Sequence, residues 1–483
     1  MYRSPSRFKA ADPRHENLET VESSIVKHFD PEEPDAPVEI PYDVRNQHIY
    51  VPGKTRHGKS TLFHAMVYQD IKRGAGVCVI DPKGDLVNSL SHWIPESRRD
   101  DGVFISTKSP VPIDFMDYQD DDEKETLVGE LKYVITRGMS AEAAPLMDAI
   151  LTDLIYTLLN AREHMPIAMR PTFLDIHRFL ADQKRRNIIL TYVTDHELKQ
   201  RWETNFPNPK ECAPTLTRMT PFIRNPSLRK LFDCPAPTLN IAELMDKRKI
   251  LLVDLGGISE STKILATLLI AKIKQAAFRR ASIPDETKRI PFFLYVDEFK
   301  FFQTSDFEDI LSFAGGYGLR LTLANQFIGQ LDPNIRQSIF GNVGSFIIFC
   351  VSPDDARQFK SFTAPEPPDI LAQLPKYRAF YKIAGQPSVV KNTPAPPPAP
   401  KDSHADYIRK RTLELYGCKA EPRPDNPDSG KREPEGTVLS NEAQAAGSRP
   451  ASGVFRPAEQ GPRKPSPKPK PDPHRRSNDK PDP

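Results

Sequence analysis

Gly53, Gly58, Lys59 and Ser60 stand at the spacing GxxxxGK[ST] within residues 47–62, QHIYVPGKTRHGKSTL. That spacing suits a polyphosphate. Glycines let successive backbone N–H groups curl around an anion where side chains would collide with it. A helix opening directly after the loop aims its unpaired N–H groups and positive dipole end at the same charge. Lys59 would reach the β- and γ-phosphates, and the Ser60 hydroxyl would take a Mg²⁺ position. The contact set is therefore Gly53, Lys54, Thr55, Arg56, His57, Gly58, Lys59, Ser60 and Thr61. ATP and Mg²⁺ are the expected ligands.

Two carboxylates and an amide extend this chemistry. Asp297 and Glu298 end the apolar run FFLYVDE. A buried strand that delivers acids at its C-terminal end puts them where α/β sheets bind ligands. Asp297 would hold the metal ion, and Glu298 would orient or deprotonate the attacking water. Gln326, with Asn325, follows RLTLA and would read the γ-phosphate. Asp81, Lys83 and Asp85 in DPKGDL fall on the same edge, where turn chemistry at Pro82–Lys83–Gly84 accounts for them equally well.

The elements that must position these groups alternate. Short apolar runs at 48–51, 76–81 (GVCVID), 103–106 (VFIS), 249–255 (KILLVDL), 291–297, 319–324 and 345–351 read as strands. Helical spacing fills 60–72 and 259–280. Strands alternating with helices imply a mainly parallel sheet covered on both faces. From 123 the character changes, with helical spacing over 127–136, 144–162 and 172–184 and no clear strand apart from the ambiguous run 187–193. The expected organisation is an N-terminal extension (1–46), a nucleotide-binding domain in two parts (47–120 and 236–392), an all-α insertion (121–235) and a tail (393–483).

Composition fits that division. The chain has 483 residues, 38% of them hydrophobic, and 49 prolines. The prolines crowd the end (TPAPPPAP, PRKPSPKPKPDPHRRSNDKPDP), where too few apolar residues remain to form a core, so the tail is expected to be disordered. Residues 407–416, YIRKRTLELY, are the exception and suit a short helix. The folded part is expected to end near Gly385. A net charge of +3 does not by itself argue for nucleic acid, and the basic cluster at 463–480 reads as a solvated linker. Five cysteines without metal spacing fit a reducing cytoplasm. No run approaches the roughly twenty apolar residues of a membrane span.

Taken in order, HIYVPGKTRHGKSTL, VIDPKGDL, KILLVDL, FFLYVDEF, LRLTLANQFIGQL and GNVGSFIIF resemble the HerA/FtsK superfamily of DNA-pumping ATPases. Within it they resemble the coupling ATPases of conjugative type IV secretion (TraG/TraD-like). The resemblance covers 47–381. It implies a RecA-like P-loop core with an inserted all-α domain, a homo-hexameric ring and DNA driven through its channel with little sequence preference. It gives Lys59, Glu298 and Gln326 catalytic and sensing roles, and Ser60 and Asp297 the metal. It also implies a cytoplasmic ATPase, with docking on an inner-membrane secretion complex left open.

The chain departs from relatives at several points. Arg56 and His57 replace small residues at the loop centre. Gly315 and Gly316 stand where relatives often carry an arginine and a basic residue, and Cys350 stands where an arginine is expected. Arg320 and Arg336 are the substitutes within reach in sequence. The membrane-spanning N-terminus of many coupling proteins is missing. Two alternatives follow: a secretion ATPase that handles protein without DNA, or a catalytically weak, nucleotide-gated scaffold.

Overall fold

The computed structural model describes residues 38, 40, 41, 43–136, 144–303, 306–393, 400 and 402–418. The expectations for 1–37 and for 419–483, including the basic cluster and most of the disordered tail, lie outside the described residues.

Nine strands form one sheet: β1 (Ile49–Pro52), β2 (Gly76–Asp81), β3 (Gly102–Ser106), β4 (Ile250–Asp254), β5 (Phe292–Val296), β6 (Leu319–Asn325), β7 (Ser345–Ile348), β8 (Arg378–Ile383) and β9 (Val389–Asn392). Their spatial order is β3-β4-β2-β5-β6-β1-β7-β8-β9. The first seven pair in parallel. β8 and β9 run antiparallel at the end of the sheet.

Alternate residues of each central strand feed two different cores. Ile49, Val51, Val77, Val79, Ile250, Leu252, Phe293 and Tyr295 pack on one face, against Leu62, Phe63, Met66 and Val67 of the helix Lys59–Lys72. Tyr50, Cys78, Ile80, Leu251, Val253, Leu294 and Val296 pack on the other, with the helices Asp121–Thr136, Ala144–His164 and Glu260–Phe278. A strand buried on both faces has no solvent side to mark with polar residues, which is why these strands read as continuous apolar runs.

Between β3 and β4 the described residues from Asp121 to Asp246 form helices and no strand. The ambiguous run 187–193 falls in the helix Gln183–Thr191, whose N-terminus Asp182 caps by accepting the Lys184 and Arg185 N–H groups. The helix Glu260–Phe278 starts with a capping box between Ser259 and Thr262.

The core under the helix Lys59–Lys72 holds a buried ionic knot. Arg45 is 2% exposed and donates to both Asp70 carboxylate oxygens, at 2.7 and 3.0 Å, and to the Tyr295 hydroxyl at 2.8 Å. Tyr295 in turn donates to Asp70, and the guanidinium lies 4.0 Å from the Phe293 ring centroid.

The folded chain continues beyond Gly385, which corrects the expected end. β9 pairs with β8, and the helix Ala405–Tyr416 docks on the free edge of β3. There the Thr412 hydroxyl accepts the Phe104 N–H at 3.1 Å, satisfying an edge donor. Ile408 is fully buried, and a Cβ added at Gly102 would come within 2.9 Å of it. The same strap brings Cys418 to 2.8 Å from Cys234, a proximity that spacing in the sequence did not reveal.

Candidate nucleotide site

The loop after β1 is shaped by close approach. A Cβ at Gly53 would stand 2.5 Å from Phe349 Cβ, and one at Gly58 would stand 2.8 Å from the Phe349 ring. Gly58 also has φ +120°, a conformation that side chains rarely adopt. The loop is pinned to neighbouring chain ends, with Gly53 N–H donating to the Asn325 carbonyl at 3.0 Å and Lys54 N–H to the Cys350 carbonyl at 2.7 Å. Arg56, at φ +64°, is exposed, and His57 is half-buried.

Lys59 opens the helix Lys59–Lys72 with Gly58 as its N-cap. Its ammonium folds back onto the loop, donating to the Gly53 carbonyl at 2.5 Å and the Lys54 carbonyl at 3.2 Å. Burial pushes its pKa below the ordinary lysine value, opposed by Asp297 and Glu298. These carbonyl contacts leave the ammonium where a phosphate can replace them.

Parallel pairing of β1, β2, β5 and β6 brings the other groups to the same edge. The cleft they form has a volume of about 410 Å³ and is lined by Lys59, Ser60 and Thr61 on one side and by Asp81, Asp297 and Glu298 on another. Asp297 N–H bonds to the Ile80 carbonyl at 3.1 Å, which fixes the β5 end against β2. Burial, then the charges of Asp81 and Glu298, raise the Asp297 pKa to about 6. Its carboxylate accepts the Glu298 N–H at 2.9 Å. Hard oxygen donors beside a site for phosphates suit Mg²⁺, which takes few protein ligands and completes its shell from phosphate and water.

Glu298 sits in the left-handed region at φ +49°, ψ +45° and is 4% exposed. A bulky residue there is strained, a feature concentrated at functional sites. Its Oε1 accepts from Gln326 Nε2 at 2.8 Å and from Lys83 Nζ at 3.3 Å. Oε2 lies 3.5 Å from the Lys300 ammonium and accepts no hydrogen bond from the protein. Burial raises the Glu298 pKa, but Gln326, Lys300 and Lys83 outweigh it, so the net shift is downward. The side chain is therefore ionised at neutral pH, and its Oε2 is a buried acceptor that faces Lys300 without a hydrogen bond from the protein.

The remaining residues divide. Asp81 turns out to be a turn and helix cap, accepting the Lys83 N–H at 2.9 Å and the Leu86 N–H at 2.7 Å, while also walling the cleft. Asn325 is buried and donates to the Phe327 carbonyl at 3.0 Å, so it shapes the chain after β6. Gly315 and Gly316 lie away from the cleft, beside a second cavity of about 840 Å³ lined by residues next to the N-terminal ends of the strands, with Arg320. A Cβ at Gly315 would meet the Asn46 carbonyl at 2.2 Å. Arg320 is 5% exposed and donates to Asn46 Oδ1 at 2.7 Å, so it is not a free substitute for a catalytic arginine. Cys350 is 5% exposed and serves the loop through its backbone. Sequence reasoning missed Lys300, Phe349, Lys376 and Tyr377. Lys300 is two residues beyond Glu298 and could have been found; the others reach the loop through packing that no local pattern marks.

No family model matches the chain, and no curated protein does. Among solved structures it is similar to the bacterial conjugative coupling protein TrwBdeltaN70 in its unbound form, at 17% identity and a TM-score of 0.56, covering 80% of this chain and 93% of that one. It is similar to TrwB in complex with ADP and Mg²⁺, at 18% identity and a TM-score of 0.55, covering 76% and 90%. A third is TrwB in complex with the ATP analogue ADPNP, at 17% identity and a TM-score of 0.55, covering 78% and 91%. The resemblance carried by the motifs thus extends to the architecture, and the chain has the RecA-like P-loop fold of the conjugative coupling protein TrwB.

Proposed function

We propose that this chain is a P-loop ATPase that couples ATP hydrolysis to moving DNA, or a DNA–protein conjugate, in a conjugative or type IV secretion-like system. The observation that carries the ATPase part is the meeting of Lys59, Asp297 and Glu298 in one cleft, with Gln326 bonded to Glu298. Lys59 and the loop N–H groups bind the triphosphate. Ser60 and Asp297 would hold Mg²⁺, which would supply neutralisation of the charge on the phosphates. Glu298 orients the attacking water and takes its proton. Gln326 ties the Glu298 carboxylate to the end of β6, so a change at the γ-phosphate reaches the neighbouring strand.

The DNA part rests on the coupling-ATPase motifs together with the TrwB-like fold. In this reading six copies form a ring around DNA, and the helices of 121–235 form an insertion that recruits cargo. DNA is gripped by its phosphates, giving weak sequence preference and strong salt dependence. The chain works in the cytoplasm at the periphery of a membrane complex; among the described residues no helix is long and apolar enough to cross a membrane.

One observation sets the scaffold alternative against the motor. Arg56 is the only arginine among the described residues lining the cleft, and an arginine offered to the γ-phosphate is worth about 10³–10⁵ in rate. The deciding experiment is steady-state ATP hydrolysis with and without DNA, beside Lys59→Ala. DNA-stimulated turnover lost in the variant supports the motor. Turnover indifferent to DNA favours the protein-handling ATPase, and tight ATP binding without turnover favours the scaffold.

A further inference from the structure

The cleft contains an aromatic side chain that the proposed phosphate chemistry does not use. Tyr377 lines it beside Lys376, immediately before β8, and is 50% exposed although its backbone is firmly held. Residues 375–378 form a turn closed by the Arg378 N–H on the Pro375 carbonyl at 3.2 Å. Tyr377 occupies the third position of that turn at φ +64°. Glycine or asparagine is favoured there, because a bulky side chain is strained at positive φ. Two further bonds maintain the strained position: Tyr377 N–H donates to the His57 carbonyl at 2.9 Å, and its own carbonyl accepts the Thr393 N–H at 2.5 Å. The first is a direct tie to the phosphate loop. The ring also borders that loop, since a Cβ at Gly58 would lie 3.3 Å from Tyr377 Cδ1.

A large, half-exposed ring held rigidly against a phosphate loop has a definite chemical use. The cleft lining comprises carboxylates at or just beyond the ends of β2 and β5, Asp81, Asp85, Asp297 and Glu298, and a part without carboxylates that includes Thr55, Arg56, Lys376 and Tyr377. The triphosphate takes Lys59 and the metal-binding acids, so the nucleoside falls to the second part. A planar base gains there by stacking on an aromatic face, a contact that accepts every base because each has a π-face. Pre-organisation matters as much as the ring, because the turn is already ordered and little is lost on binding.

We propose that Tyr377 is the platform on which the nucleotide base stacks, so that the turn at 375–378, and not the phosphate loop alone, makes the cleft selective for nucleotides over bare polyphosphate. This rests on the nucleotide reading above and adds the base subsite to it.

The test compares Mg²⁺–ATP with Mg²⁺–tripolyphosphate, titrated calorimetrically into the full chain and into Tyr377→Gly, Tyr377→Phe and Lys59→Ala. Glycine removes the ring and suits the positive φ, so the fold is kept; unchanged thermal melting verifies this. The expected result is about ten-fold or greater loss of ATP affinity in Tyr377→Gly. Tripolyphosphate affinity stays unchanged in that variant, Tyr377→Phe behaves as wild type, and Lys59→Ala loses both ligands. Wild-type ATP affinity in Tyr377→Gly overturns the platform. Equal loss of both ligands in Tyr377→Gly also overturns it, assigning the turn to shaping the loop through His57. A wild-type chain that binds neither ligand overturns the nucleotide reading itself and this subsite with it.

Discussion

Glu298→Gln separates the motor from the scaffold most directly. The amide keeps the side chain's volume and can still accept from Gln326, whose 2.8 Å bond to Oε1 is the shortest tie on this group. What disappears is the negative charge and the ability of the carboxylate to take a proton. The lost pairing with Lys83 matters little, because that lysine is 51% exposed and such contacts contribute at most about 1 kcal/mol. The base term is larger. A positioned general base contributes about 10²–10⁴-fold, equivalent to about 3–5 kcal/mol of barrier. The variant is therefore expected to bind Mg²⁺–ATP within about three-fold of wild type, since neither Lys59 nor the loop is touched, while single-turnover hydrolysis falls by two to four decades. Radiolabelled ATP mixed with excess protein, with binding followed in parallel, reads both quantities. A variant that retains more than a tenth of wild-type hydrolysis refutes Glu298 as the base. A wild-type chain without turnover, and therefore indifferent to the substitution, shifts the reading to the scaffold.

Asp297 predicts a pH dependence. Its pKa is raised to about 6, and metal binding needs the ionised form, so affinity for Mg²⁺–ATP falls as the pH drops from 7 to 5, by about ten-fold for one such group. Asp297→Asn is expected to bind more weakly at pH 7 and to flatten this profile relative to wild type in the same titrations. Asp70→Asn leaves the Arg45 guanidinium buried without its counter-charge and is expected to cost about 3–5 kcal/mol in urea unfolding, whereas Arg45→Met combined with Asp70→Leu costs much less. Truncation after Gly385 removes β9 and the helix that covers β3; it is expected to melt at a lower temperature and aggregate more readily than truncation after Cys418.

The readable part of the fold was the part buried on both faces. GVCVID, KILLVDL and FFLYVD announce strands because neither side meets water, and the structure places β2, β4 and β5 within them. β8 (RAFYKI) and β9 (VVKN) escaped notice because charges interrupt them at Arg378, Lys382 and Lys391 and because they sit at the sheet's antiparallel end. The helix Ala405–Tyr416 was visible as a helix, yet its docking was not, because Ile408 and Thr412 find partners in β3 some three hundred residues earlier. Local pattern gives the element; only the contact made across the chain gives its place.

The same distinction governs the site and sharpens the question of the missing arginine. Lys59, Ser60, Asp297 and Glu298 were legible because their motifs are contiguous and end strands that share one edge. The absence of arginine at 315 and 350 was equally legible, but its cause required the packing. Gly315 cannot take any side chain while the Asn46 carbonyl stands 2.2 Å from its would-be Cβ, and the side chain at 350 is buried, with Cys350 Sγ 3.3 Å from the Ala372 carbonyl. Arg320, the nearest substitute by sequence, is bonded to Asn46 near the start of its strand, whereas Glu298 and Gln326 meet at the strands' C-terminal edge. Arg56 remains within the cleft, on an exposed loop with its backbone in the left-handed region. If Arg56 serves the transition state, Arg56→Ala lowers turnover by at least ten-fold in dilute, unassembled protein. If the charge comes from a second chain, the substitution leaves that basal rate unchanged and turnover rises steeply with protein concentration. The concentration dependence of hydrolysis in these two proteins therefore says whether the γ-phosphate is read within one subunit or between two.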